Sequence, residues 1–166
     1  MSSTDVMSKL TKIISGGQTG VDQAALRAAR DCGLEMGGWC PPGRGCEDGI
    51  IPAEFPLKET KQERSPDAPA VPRSQRTEWN VRDSDGTLVL GKGEEDLGTK
   101  WAIECARRYK RPLLMCDPDD PHAEEKIRDW IGANDLKVLS VGGPSESSVP
   151  GIGNKTYALL TRVLQL

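Results

Sequence analysis

The stretch that decides the fold is KIISGGQTGVDQAALRAARDCG, residues 12–33. It opens with the β-branched run Lys12–Ser15, which is typical of a short buried strand. The glycine loop Gly16–Gly20 follows at once. Small and apolar residues then recur at helical spacing from Val21 to Cys32, and Gly33 is a common residue at a helix end. The stretch therefore predicts a strand, a glycine loop and a helix that can lie close to a sheet.

The same alternation continues along the chain. Strands are predicted at residues 34–40, 87–90, 112–116 and 136–141, and helices at 76–82, 99–109, from Asp120 with Pro121 at its first position, and after Gly153. Alternating strands and helices indicate an α/β fold, here a single-domain Rossmann-like three-layer sandwich with a mostly parallel sheet of about five or more strands. We expect residues 1–10 to be a flexible lead-in and residues 11–166 to form one ligand-binding domain. The proline-rich segment 41–75 is predicted to be a long excursion, of the kind that is usually functional or disordered.

Composition excludes several classes of protein. The 166 residues carry a net charge of −3, whereas a nucleic-acid binder usually has a basic surplus. No run of 18 apolar residues is present, so we expect no membrane partner, and the polar start of the chain favours a cytoplasmic location. The five cysteines form no CxxC pair and His122 is the lone histidine, so no metal site is predicted.

The glycine loop is the first candidate binding site. A loop between a strand and a helix offers unpaired N–H groups and the positive end of the helix dipole to an anion. Its candidate ligand contacts are Gly16, Gly17, Gln18, Thr19, Gly20 and Asp22. The loop matches neither the GxGxxG nor the GxxxxGK[ST] pattern, so it does not establish a nucleotide site. The alternative is that Thr19 and Asp22 only cap the helix.

Other polar residues are expected at the same edge of the sheet. The further candidates are Trp39, Pro41, Arg44, Arg76, Thr77, Asn80, Asp83, Ser84, Asp85, Gly98 and Thr99. Arg44 is a candidate phosphate fork, and Gly98 with Thr99 opens a second helix after a strand. The carboxylates at 94–96 oppose an anion there, so the first loop and Arg44 are favoured. Asp83 to Asp85 can equally be turn formers, and Trp39 and Trp79 can be ordinary core residues.

Three motifs together resemble a known family. GGQTGVDQAAL at residues 16–26, GWCPPGR at 38–44 and DSDGTL at 83–88 occur in the order seen in the putative molybdenum carrier protein family. With shorter matches up to residue 152, the resemblance spans most of residues 12–153. It implies a Rossmann-like domain related to lysine-decarboxylase-like nucleotide-binding folds. It also implies a homo-oligomer that binds molybdenum cofactor (molybdopterin, a phosphorylated pterin) or a related nucleotide.

The leading hypothesis is therefore a non-catalytic binding protein. The phosphate of a pterin or nucleotide would lie on Gly16–Gly20 with Arg44 or Arg76, and its ring on Trp39 or Trp79. No catalytic residue is assigned under this hypothesis. No protein ligand to a metal is assigned either, because molybdopterin holds molybdenum through its own sulfurs.

The alternative is a nucleotide hydrolase of the lysine-decarboxylase-like, phosphoribohydrolase type. Its PGGxGTxxE pattern is only partly present, because Ala102 stands where the pattern has its glutamate. An acid role would then fall to Asp83, Asp85 or Asp96.

Overall fold

The computed structural model describes residues 9–93 and 96–165 of the chain. Within them the strands are β1 (Lys12–Ile14), β2 (Glu35–Gly37), β3 (Trp39–Cys40), β4 (Gly45–Cys46), β5 (Gly49–Ile50), β6 (Lys58–Glu59), β7 (Gly86–Leu90), β8 (Leu113–Cys116) and β9 (Val138–Gly142). The helices are α1 (Val21–Asp31), α2 (Ser74–Arg82), α3 (Leu97–Arg108), α4 (Ala123–Ala133) and α5 (Ile152–Leu164), with a short 3₁₀ turn at Pro42–Arg44.

Five of the described strands form the main sheet. Its order is β2-β1-β9-β7-β8, and every neighbouring pair is parallel. Parallel pairing follows from the crossover helices, which return the chain to the same end of the sheet after each strand. The predicted α/β, Rossmann-like fold with a parallel sheet is confirmed.

The sheet separates two layers of helices. Helices α1, α4 and α5 pack with one face in the larger apolar core, while α2 and α3 form a smaller cluster on the other face. Successive side chains of β7 point to opposite faces of the sheet, so this strand contacts both helix layers. Leu88 and Leu90 are fully buried in the larger core, whereas Thr87 and Val89 point to the side of α2 and α3.

The predicted second strand is divided in two at Gly38. Residues up to Gly37 pair with β1, but Trp39 and Cys40 pair with β6 in a separate two-stranded ribbon. Gly38 has a φ of 125°, and a Cβ there would lie 2.5 Å from the Ser15 carbonyl oxygen. The chain therefore turns out of the main sheet where only glycine fits.

The excursion that follows is ordered by its own packing. Leu26 of α1, Cys40, Ile51, Phe55 and Leu57 form a separate buried cluster beneath it. Close packing of this kind explains why a proline-rich segment with little secondary structure adopts a defined conformation.

The caps of two helices differ from the sequence prediction. Gly20, with a φ of 79°, precedes α1, and no side chain caps that helix, so Thr19 is not its cap. Helix α4 begins at Ala123, and Asp120 accepts the His122 N–H in the turn before it at 2.8 Å. The Thr19 hydroxyl bonds to Glu47 in another loop, and Asp120 bonds within the turn before α4. The local sequence pattern does not show these partners.

The beginning of the chain is only partly covered. Residues 1–8, most of the predicted lead-in, lie outside the described residues. Leu10 is 6% exposed and belongs to the larger core, and Lys9 pairs with Asp135 at 2.9 Å. Among the described residues no helix has the length and hydropathy needed to cross a membrane.

We expect Gly38→Ala to lower the free energy of unfolding by about 2 kcal/mol or more, because the new Cβ meets backbone atoms at a positive φ. Urea denaturation measures the change. Gly45→Ala is the control, since nothing lies within 4 Å of a Cβ at that position. Equal stability of both variants would contradict the close approach at Gly38.

Candidate functional site

A cavity of about 580 Å³ opens at the carboxyl ends of β1, β7 and β9. It lies between the sheet and helices α2 and α3, at the centre of the sheet, where the chain crosses from one half to the other. Ligands in open parallel sheets bind at such crossover points. Its polar lining residues include Gln18, Asp22, Arg73, Arg76, Thr77, Asn80, Thr87, Asp96, Thr99, Ser140, Ser145 and Ser148.

Two arginines supply the positive charge of the cavity. Arg76, in the first turns of α2, has a side chain that is 16% exposed, and its Nε has no hydrogen-bond partner. Arg73 precedes α2 in the left-handed conformation, with a φ of 58°, and its backbone N–H donates to Glu63 Oε1 at 2.8 Å. Among the described residues its guanidinium has no hydrogen-bond or ion-pair partner. Both cations also lie at the positive end of the α2 dipole.

Asp22 is the buried counter-charge. Its Oδ2 lies 3.5 Å from Arg76 Nη1 and accepts the Gln18 N–H at 3.3 Å. Burial raises the pKa of the Asp22 carboxyl above its ordinary value, and the Arg76 charge opposes that rise. The same burial lowers the pKa of Arg76. Because Asp22 pairs with Arg76 through Nη1, other N–H groups of the guanidinium can donate to an anion in the cavity.

The glycine loop uses several of its amides internally. The Gln18 N–H donates to Asp22, the Thr19 N–H to Gln18 Oε1 at 3.1 Å, and the Val21 N–H to the Pro144 carbonyl at 3.2 Å. The sequence predicted that the amides of the loop point toward a ligand, but those of Gln18 and Thr19 have acceptors within the protein. Anion binding by the glycine amides of the loop stays a prediction. The loop contributes Gly16 and Gln18 to the cavity wall, while a Cβ on Gly17 would meet Ile51.

One carboxylate ties three loops together beside the cavity. Glu47 accepts the Thr19 hydroxyl, and it accepts the Ser147 N–H at 3.0 Å and the Ser147 hydroxyl at 2.5 Å. In return, the Glu47 N–H donates to Gln18 Oε1 at 2.8 Å. The Ser147 and Thr19 donors lower the pKa of Glu47 from 4.5 to about 2. The clamp fixes the serine-rich wall of the cavity against the glycine loop.

About half of the residues predicted from sequence meet at this cavity. They are Gly16, Gln18, Asp22, Arg76, Thr77, Asn80, Gly98 and Thr99. The Asn80 side chain itself bonds both backbone groups of Trp39, and the Thr99 N–H donates to the Asp96 cap at 2.6 Å. These two residues therefore shape the wall, and their strongest donors are already engaged.

The remaining predicted residues lie elsewhere. They are Gly17, Thr19, Gly20, Trp39, Pro41, Arg44, Asp83, Ser84 and Asp85. Arg44 donates to the carbonyls of Leu57, Pro52 and Phe55 at 2.9 to 3.1 Å, so it holds the excursion together instead of facing the cavity.

The acidic turn lies at the opposite edge of the sheet. Asp83 pairs with Arg82, Ser84 donates to the Val81 carbonyl, and Asp85 accepts the N–H groups of Lys137 and Val138. They are turn formers, the alternative that their sequence allowed.

Neither tryptophan proposed as a stacking surface reaches the cavity. Trp39 and Trp79 pack edge to face with centroids 4.8 Å apart, and the Trp39 indole N–H donates to Asp83 Oδ2 at 2.8 Å. Trp39 lines a smaller hollow of about 200 Å³ with Lys12 and Lys58.

Sequence reasoning missed two parts of the site. Arg73 was overlooked because it falls in the irregular excursion, where no pattern marks it. The segment Gly142–Ser148 forms another wall, and it has a usable signal, because a strand followed by glycines and a helix repeats the arrangement of residues 12–33.

Residues 13–164 match the family model described as the circularly permutated YpsA SLOG family. The chain belongs to this family. A search of curated proteins found no match for it. Among solved structures, this YpsA SLOG family chain is similar to the crystal structure of a putative molybdenum carrier protein from Syntrophus aciditrophicus SB. The two are 38% identical with a TM-score of 0.84, over 94% of this chain and 96% of that one. The family resemblance recognised in the sequence is confirmed.

The side chains that could bind a metal ion do not cluster within the described part of this family member. Within the described residues no group of three or more His, Cys, Asp or Glu is placed to hold a metal ion. All five cysteines are free, and burial raises the pKa of Cys105 to about 12.

The Glu47 clamp makes a prediction about acid stability. Because the folded pKa is about 2 against an ordinary 4.5, its stabilising contribution is complete above pH 4.5 and is lost as the pH falls toward 2. We expect Glu47→Gln to lower the melting temperature at pH 7 and to flatten its decline between about pH 5 and pH 3. Thermal unfolding followed by circular dichroism across that range measures both. Parallel curves for the two proteins would contradict the clamp.

Proposed function

We propose that this protein is a carrier or binding protein for a small phosphorylated ligand, of the molybdopterin or nucleotide type. The observation that carries the proposal is the pair of arginines at the cavity. Among the described residues, the Arg73 guanidinium makes no hydrogen bond or ion pair, and Arg76 Nε has no hydrogen-bond partner. Arginine binds phosphate oxygens by charge-assisted hydrogen bonds in a fork geometry. The phosphate would lie at the carboxyl edge of the sheet, between Arg73, Arg76 and the start of α2.

The cavity suits a cargo of this size. Its volume of about 580 Å³ falls in the range of small-molecule and cofactor sites. Aliphatic side chains, Val81, Val89 and Ala102, line it between the polar groups, so a flat ring can be held between them. The similar protein from Syntrophus aciditrophicus SB is named a putative molybdenum carrier protein, which supports a cofactor as the cargo. A homo-oligomeric assembly and a cytoplasmic location stay predictions.

Asp22 is the observation that favours the hydrolase alternative. Its carboxyl lines the cavity, and burial raises its pKa, as a general acid requires, while the Arg76 guanidinium 3.5 Å away opposes that rise. Asp83 and Asp85, suggested for this role from sequence, lie at the other edge of the sheet, and Asp96 caps α3. Incubation with AMP separates the two functions: binding without release of free adenine supports the carrier, and free adenine supports the hydrolase.

Arg73→Gln tests the proposed phosphate contact. We expect the affinity for inorganic phosphate and for AMP, measured by isothermal titration calorimetry, to fall by about 1.5–3 kcal/mol, or roughly 10- to 150-fold. The melting temperature should stay the same, because the guanidinium makes no bond among the described residues.

Arg44→Gln is the matched control. Its guanidinium holds carbonyls of the excursion, so we expect a lower melting temperature with the affinity for phosphate unchanged. An Arg73→Gln protein that binds phosphate as tightly as the native protein would overturn the proposed contact. Mass spectrometry of small molecules that copurify with the native protein identifies the cargo.

A further inference from the structure

The floor of the cavity carries two hydroxyl-bearing side chains, Thr87 and Ser140. Thr87 is 3% exposed, and its Oγ1 has no hydrogen-bond partner. Ser140 is 5% exposed and lines the same cavity. Thr87 and Ser140 are register partners on neighbouring parallel strands, so their side chains lie side by side on the same face of the sheet.

The floor lies well below the arginines. Thr87 is the second residue of β7, three residues before its carboxyl end, which places it about 10 Å down the strand. The walls at this depth include Val81 of α2, Val89 of β7 and Ala102 of α3. A helix-covered sheet face usually has apolar residues at such positions. Here the face is open, and it presents hydrogen-bonding groups between aliphatic side chains.

An unpartnered buried hydroxyl destabilises a fold, because it loses its hydrogen bonds to water on burial and gains none. Thr156 of α5 shows that the chain carries a second one, fully buried and outside the cavity. Thr87 differs from Thr156 because it lines a cavity that a ligand can enter.

We propose that Thr87 and Ser140 form a specificity subsite that hydrogen-bonds the uncharged ring of the ligand while the arginines hold its phosphate. The inference rests on the proposed function and adds to it the orientation of the ligand in the cavity. The charged group lies at the mouth, and a planar heterocycle with nitrogen or oxygen atoms on its edge reaches the floor. Hydroxyl groups donate and accept, so they match the edge of such a ring, and the aliphatic side chains cover its two faces.

Two substitutions remove the hydroxyls and keep the packing. Thr87→Val preserves the side-chain shape, and Ser140→Ala removes a single atom. The probes are inorganic phosphate, ribose 5-phosphate and the four ribonucleoside 5′-monophosphates, titrated by calorimetry. We expect both variants to bind phosphate and ribose 5-phosphate as the native protein does. We expect the tightest nucleoside monophosphate to bind about 5-fold or more weakly to each variant.

Thr156→Val is the matched control, because it removes an equally unpartnered hydroxyl outside the cavity. Both Thr→Val proteins should melt at a higher temperature than the native protein, since each loses a buried polar group without a partner. Only Thr87→Val should change the affinity for the nucleotide. A gain in thermal stability together with a loss of binding is a result that a purely structural role of Thr87 would not produce.

The outcomes separate the subsite from the site as a whole. If no nucleotide binds more tightly than ribose 5-phosphate, or if the variants bind nucleotides as the native protein does, the subsite is refuted while phosphate binding stands. If the native protein binds none of the probes, phosphate included, the proposed function and the subsite both fail.

Discussion

The buried contact between Asp22 and Arg76 connects the two halves of this molecule. Asp22 opens the helix on one face of the sheet, and Arg76 belongs to a helix on the other face. The two side chains meet over the glycine loop, where a Cβ on Gly16 would lie 2.3 Å from Arg76 Nη1. Removing either partner would leave an uncompensated charge in a buried place. The absence of a side chain at Gly16 is what lets the guanidinium reach both its carboxylate and the cavity.

Polar tethers, more than secondary structure, hold the loops around the cavity. Glu47 joins the excursion to the glycine loop and to the serine-rich segment, and Glu146 accepts the N–H groups of Gly151 and Gly153 at the start of α5. The carboxylate of Glu146 occupies that helix start, so an exogenous anion has no place there. The cations of the cavity are left as the strongest anion-binding groups at this edge of the sheet.

The sequence predicted the fold well and the site only in part, for physical reasons that particular residues show. The β1 strand and α1 helix follow from local periodicity, which needs no knowledge of distant contacts. Arg44 follows a conspicuous turn, but the carbonyls that engage it come from residues up to 13 positions away. No local pattern shows where a loop returns. Arg73 and Thr87 show the opposite error, since neither was predicted as a site residue. Arg73 lies in an irregular segment and Thr87 in an ordinary strand, and both reach the cavity only because α2 packs over the sheet.

The placement of the indoles has a practical consequence for anyone who studies this chain in solution. Within the described part of the chain none of Trp39, Trp79, Trp101 and Trp130 lines the cavity. Intrinsic tryptophan fluorescence therefore reports on the conformation of the protein and not on direct contact between an indole and the ligand. A change in indole emission on binding would therefore not by itself indicate a contact between a tryptophan and the cargo, whereas heat or mass would register its arrival directly.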